Sequence, residues 1–301
     1  MKASKKLVFF GNERLTTGVN TKTPTLKMLI EDGYEIMAVI SSHTEATSRQ
    51  KRLLEIVRVA EKAKIPVLLP SNLAEIKDDI AACGAEAGVL VAYGRIIPAE
   101  IIDIFPKGII NIHPSLLPKY RGPTPVETAI LDGANETGVS LMRLVAKMDA
   151  GPLFAQERIS LEGSETKQEL ADKLLSVGCD LLKEHLPAIL EGWLTPKPQI
   201  DAEATYTKLL KKGDGVMVFG QPAEVLERQV RAYAGWPKSQ AKINGQDVIV
   251  TKVRVAKDQK DGDLVMKCHP GWLEILELVG PSGKTMRGAD FLRGYSRPLP
   301  S

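Results

Sequence analysis

Residues 7–41 read LVFFGNERLTTGVNTKTPTLKMLIEDGYEIMAVIS. The apolar run at 7–10, closed by Gly11, predicts a buried strand, and residues 35–41 predict a second. Between them a loop over 11–18 leads to a helix over 24–31, with Thr23 as its expected cap and Pro24 at the first helical position. Strand, loop, helix and strand in this order open a doubly wound parallel sheet. The loop after Gly11 lacks the Gly-x-Gly-x-x-Gly pattern, so no dinucleotide site is read from it. It remains free to meet a substrate phosphate or carbonyl at the sheet's carboxyl edge.

Working outward, residues 42–52 form a polar loop ending in Arg49, Lys51 and Arg52, and helical spacing follows to Ala63. These cations are either a phosphate-contacting cluster or the solvated start of that helix. Residues 65–69 predict a third strand, and residues 87–94 a fourth whose nearly continuous apolar character suits a central position. Gly94 at its carboxyl end permits close approach of a ligand to the backbone, or simply a tight turn. Residues 108–113, GIINIH, predict a fifth strand. Side chains alternate along a strand, so Asn111 and His113 share one face. Pro114 ends the pairing, and residues 115–118 turn away. A carboxamide beside an imidazole can polarise a carbonyl, although a lone strand-end histidine is more often structural and an asparagine before a turn is commonly a turn former.

Strands over 139–144 and 153–161 flank a loop carrying Asp149, the second of them suited to an antiparallel or edge position. Thr166 and Glu169 match a capping box opening a long helix, which Gly192 ends. Residues 195–199, TPKPQ, cannot continue it and begin a linker. A helix over 221–233 and short alternating runs at 247–255, 264–267 and 273–278 predict a second domain built as a small β-barrel. The expected division is thus 1–194, a linker over 195–207, and 208–301.

Residues 208–301 carry 16 lysines and arginines against 10 aspartates and glutamates, a net of +6, which leaves −3 for residues 1–207 out of the chain's +3. This asymmetry fits either a polyanionic partner or a solvated basic surface. Cys83, Cys179 and Cys268 lie far apart, which argues against a disulfide framework or a zinc site. The apolar run after the basic amino terminus is too short for a signal peptide, and no run approaches the roughly 18 residues of a membrane span. A cytoplasmic protein is expected.

The segment 108–151 as a whole resembles the 10-formyltetrahydrofolate-dependent formyltransferases. Asn111-x-His113, the Ser115-Leu116-Leu117-Pro118 turn, Arg121-Gly122, Thr137-Gly138-Val139 and the distant Asp149 match that family together. So do Pro198-Gln199 and Ala204-Thr205-Tyr206 in the linker. The resemblance implies a Rossmann-like catalytic domain followed by an OB-like one, catalysis by Asn111, His113 and Asp149, and a folate pocket from Tyr93, Gly94 and residues 115–118. It implies no metal. Within the family the chain is most similar to the branch that formylates methionyl initiator tRNA, in which a basic loop equivalent to Arg49, Lys51 and Arg52 faces the acceptor stem and the enzyme is a monomer. The loop after Gly11 departs from that branch's usual Gly-Thr-Pro. Other readings are formyl transfer to glycinamide ribonucleotide or an amino sugar, a nucleic-acid-binding module without catalysis, and a nucleotide-dependent oxidoreductase. The basic second domain weighs against the small amines, the catalytic trio against the module, and the missing glycine fingerprint against the oxidoreductase.

Overall fold

The computed structural model describes residues 5–20, 22–41 and 54–295. The chain divides into two compact units. The first runs to Pro125 and includes Glu136–Ser160 and Gln168–Lys208; the second comprises Val126–Asn135, Leu161–Lys167 and the chain from Leu209 onward.

In chain order the elements are β1 (Lys6–Gly11), α1 (Pro24–Glu31), β2 (Glu35–Ile40), α2 (Glu55–Lys62), β3 (Val67–Leu68), α3 (Lys77–Ala82), β4 (Ala87–Val91), α4 (Ala99–Ile102), β5 (Ile109–His113), α5 (Pro125–Leu131), β6 (Glu136–Arg143), β7 (Leu153–Ser160) and α6 (Lys167–Glu191). Seven strands form one sheet in the order β3-β2-β1-β4-β5-β6-β7. The first five are parallel, whereas β6 and β7 are antiparallel additions beside β5. Burial explains the parallel part: every residue of β4 and β5 is buried, which suits strands covered on both faces. Strand β7 instead exposes three successive residues, Gln156, Glu157 and Arg158, so both of its faces are open there, as its place at the sheet edge permits.

Helix α1 starts at Pro24 as expected, but Thr23 is not its cap. Thr23 sits in left-handed backbone (φ 49°) and makes no side-chain cap hydrogen bond. Glu13 takes that place. Its two carboxylate oxygens accept from Thr25 N (2.8 Å) and Leu26 N (2.9 Å), satisfying amides that the helix itself leaves without partners. Burial raises the Glu13 pKa, while those backbone bonds pull against the rise. Gly11 lies at φ 121° where a Cβ would stand 2.0 Å from the Val91 carbonyl oxygen, so only glycine lets β1 pass β4 here.

The second unit continues with α7 (Ala223–Ala232), β8 (Ser239–Ile243), β9 (Gln246–Ala256), β10 (Val265–Lys267), β11 (Trp272–Val279), β12 (Thr285–Arg287) and α8 (Gly288–Gly294). Its five strands make an antiparallel half-barrel ordered β10-β11-β9-β8, with β12 also on β11. Leu226, Val230, Val250, Leu273, Leu278 and Phe291 form its core. The cysteines are free thiols, and burial pushes Cys179 up to about 11. Among the described residues no helix is long and apolar enough to cross a membrane.

Candidate active site

The site is built on β5, whose period-two alternation sends Asn111 and His113 to one face. Both are buried, at 6% and 5% exposure, on a strand otherwise filled by isoleucines. The Asn111 carboxamide is hydrogen-bonded to no described residue. Its residual exposure leaves the amide available to a ligand.

His113 is held on two sides. Nε2 lies 3.1 Å from the Tyr120 carbonyl oxygen. A carbonyl only accepts, so this nitrogen carries the hydrogen and Nδ1 is left able to take up a proton. Nδ1 faces Asp149 Oδ1 at 3.7 Å, beyond a direct hydrogen bond but within ion-pair reach. The other Asp149 oxygen accepts from Gly122 N at 2.7 Å. Asp149 adopts φ 45°, an unfavourable backbone state for a non-glycine residue. The arrangement is thus an amide donor beside an imidazole whose proton-accepting nitrogen faces a carboxylate.

The turn over 115–118 is braced from β6 and β7. Ser140 Oγ donates to Ser115 O (2.6 Å) and accepts from Leu117 N (3.0 Å), and Gln156 Nε2 donates to Leu117 O (2.8 Å). Ser115 is fully buried and its hydroxyl donates to Lys119 O at 2.7 Å, while Leu116 and Pro118 are half-buried and Leu117 is buried. Tyr93 is likewise buried, its ring edge-on to Phe10 with centroids 6.1 Å apart. Any contact with a ligand at 93–94 therefore falls to the backbone. Gly94 (φ 76°) has open space where a Cβ would stand. Arg49, Lys51 and Arg52 lie outside the described residues. A cavity of about 280 Å³ lined by Ile130, Leu161, Arg228 and Arg231 belongs to the second unit and includes none of these side chains.

Sequence reasoning gave no role to the network behind the trio. Arg121 is fully buried; its Nε and Nη2 donate to Gln199 Oε1 (3.0 and 2.8 Å), Nη2 also to Asp201 Oδ1 (2.7 Å), and Nη1 to Tyr206 OH (3.2 Å). Gln199 Nε2 donates to the carbonyls of Asp149 (2.8 Å) and Gly151 (2.7 Å). The signal was present: Arg121 and the Pro198-Gln199 and Ala204-Thr205-Tyr206 pieces matched the family, but the last two stood in a stretch whose prolines read as a linker.

Comparison with known proteins accounts for both units. A family model described as Formyl transferase matches residues 5–186, and one described as Formyl transferase, C-terminal domain, matches residues 209–296. A methionyl-tRNA formyltransferase of Chloroflexus aurantiacus is 37% identical over 285 residues, covering 89% of this chain and 92% of its own. One of Roseiflexus castenholzii is 35% identical, covering 97% of this chain and 96% of its own. Among solved structures, HypX from Aquifex aeolicus in complex with tetrahydrofolic acid aligns with a TM-score of 0.66 at 16% identity, over 97% of this chain; the chain spans about half of HypX (48%). An N-formyltransferase from Helicobacter canadensis, in complex with folinic acid and dTDP-3-aminofucose, aligns with a TM-score of 0.65 at 19% identity, over 94% of this chain and 97% of its own. Those two likenesses establish the fold; the identities over nearly full length establish the kinship, and the chain belongs to the methionyl-tRNA formyltransferase family.

Proposed function

We propose that this chain transfers the formyl group of 10-formyltetrahydrofolate to the amino group of methionyl initiator tRNA, producing N-formylmethionyl-tRNA for translation initiation. The observation that carries the reading is the end-to-end similarity to methionyl-tRNA formyltransferases in a chain that keeps Asn111, His113 and Asp149 together. The reading includes a catalytic domain over 1–194, a linker over 195–207 and a tRNA-binding domain over 208–301, acting as a cytoplasmic monomer. The open backbone at Gly94 and the unpartnered Asn111 amide fit a flat, hydrogen-bonding donor, with Tyr93, Gly94 and residues 115–118 as its walls. Arg49, Lys51 and Arg52 would contact tRNA phosphates.

The folate supplies an activated formyl group; the protein's residues handle charge and protons. Asn111 donates its amide hydrogen to the formyl oxygen as the amine adds, and one such donor typically lowers a barrier by about 3–4 kcal/mol. His113 Nδ1 takes the proton that the amine sheds, and Asp149 faces the imidazolium that results. The same nitrogen then returns the proton to the departing folate nitrogen. Formyl transfer measured with methionyl initiator tRNA, free methionine, glycinamide ribonucleotide and an amino-sugar nucleotide tests the reading. Transfer to the charged tRNA alone is expected. Transfer to one of the small amines instead would overturn the substrate, and transfer to none would overturn the reaction.

A further inference from the structure

The stretch over 199–207 is hydrogen-bonded to the segment that forms the back of the site. Thr205 N donates to Pro118 O (3.2 Å), Arg121 N to Thr205 O (2.9 Å) and Thr207 N to Arg121 O (2.7 Å). Tyr120 N donates to Thr205 Oγ1 at 2.8 Å, so the residue whose carbonyl meets His113 is itself held by this strap. At its start Gln199 grips the other side of the site, the Asp149 turn. The orientation of its carboxamide is settled by chemistry. Both contacts on Oε1 come from the guanidinium of Arg121, which only donates, and both contacts on Nε2 go to carbonyls, which only accept. The strap thus touches the partners of both ring nitrogens of His113 without touching the ring.

We infer that Gln199, oriented by Arg121, is a positioning residue for formyl transfer: it pins the left-handed turn at Asp149 from its two carbonyls and so holds the carboxylate opposite His113 Nδ1. The inference rests on the reaction assigned above. A strained turn without its tether relaxes toward ordinary backbone angles, and a displacement of about 1 Å at a catalytic group is enough for a loss of order 100-fold.

Gln199→Glu is the informative variant. The new carboxylate still accepts from Arg121, which keeps the buried guanidinium paired, but it has no hydrogen for the carbonyls of Asp149 and Gly151. The expected result is a kcat lower by about 10- to 100-fold, with KM for both substrates within about threefold. The protein should stay fully folded at the assay temperature, and the ring ¹⁵N signals of His113 should move. The chain has four histidines, so a His113→Gln spectrum assigns the signal. Wild-type kcat in Gln199→Glu would overturn the inference, as would an activity loss matched by a loss of folded protein. Gln199→Ala also takes an acceptor from the buried Arg121, so it is judged on the kcat of its folded fraction alone, which is expected to fall by the same factor; a wild-type kcat in that fraction would overturn the inference. Should the wild-type protein formylate no acceptor, the proposed function falls by itself. The His113 signals then decide the positioning role separately: a shift between wild type and Gln199→Glu upholds it, and unchanged signals reject it.

Discussion

Two loops of the first unit each carry a carboxylate on a residue with positive φ, Glu13 at 58° and fully buried, Asp149 at 45° and half-buried. Glu13 has both oxygens on backbone amides of α1. Asp149 has one oxygen on a backbone amide and turns the other toward an imidazole. A carboxylate whose oxygens are both taken by a helix terminus fixes a loop and has little to offer a reaction. One that faces a titratable ring across 3.7 Å can respond when that ring gains a proton. The same residue chemistry thus becomes scaffold in one loop and machinery in the other, according to what its second oxygen meets.

That contrast can be broken from either side. The largest effect is expected on the Asp149 side: Asn111→Ala, His113→Ala and Asp149→Ala should each lower kcat by about 100- to 1,000-fold, with circular dichroism and thermal midpoint close to wild type. Full turnover in any one removes that residue from the chemistry. On the other side, Glu13→Ala should lower stability by about 1–3 kcal/mol in denaturant unfolding, because two buried amides lose their acceptor. The kcat of its folded fraction should stay within about threefold of wild type; a catalytic collapse in a stable protein would erase the distinction.

A pH series sharpens it further. Burial raises the Glu13 pKa above 4.5 in the folded state, so folded protein binds the proton more tightly than unfolded protein does. Its contribution is fully present below about 4.5 and is lost as pH rises through the folded value. Relative to Glu13→Gln, which stays neutral, wild-type stability should therefore fall as pH climbs through that window. A difference independent of pH would contradict the burial. The smallest effect is expected at the exposed pair of Lys147 and Asp201, 2.9 Å apart. Lys147, and then Arg121, hold the Asp201 carboxyl below its usual range, yet both members of the pair are solvated, and Lys147→Ala should leave activity and thermal midpoint unchanged within error.

The fold of the second unit does not by itself distinguish one acceptor from another. Its basic excess weighed against small amine acceptors at the level of sequence, but an N-formyltransferase solved with a nucleotide sugar aligns over 94% of this chain and 97% of its own. The two-unit architecture is therefore common to both kinds of protein, and sequence identity, not architecture, separates them here. Within this unit the alternating runs that became β9, β10 and β11 were legible, whereas β8 and β12 were not: β8 reads Ser-Gln-Ala-Lys-Ile and β12 spans three residues, Thr285–Arg287. Helix α5 has no such signal either, since its seven residues begin at Pro125, directly after Gly122-Pro123-Thr124, and offer too few turns for a helical period.

Local patterns were enough for the strongly apolar strands and for helix starts marked by proline. The buried runs of β1, β4 and β5 follow from hydrophobicity over four to six residues, Pro24 marks the start of α1, and the shared face of Asn111 and His113 follows from the two-residue period of a strand. Contacts between distant residues were decided only by the folded chain. Glu13 displaced Thr23 as the cap of α1 because the loop after β1 carries a carboxylate to the helix terminus. Gln199 reaches a carbonyl 50 residues away, and Asp149 meets His113 across the whole of β6. A hydrogen bond is set by distance and direction in space, and no period along the chain encodes either.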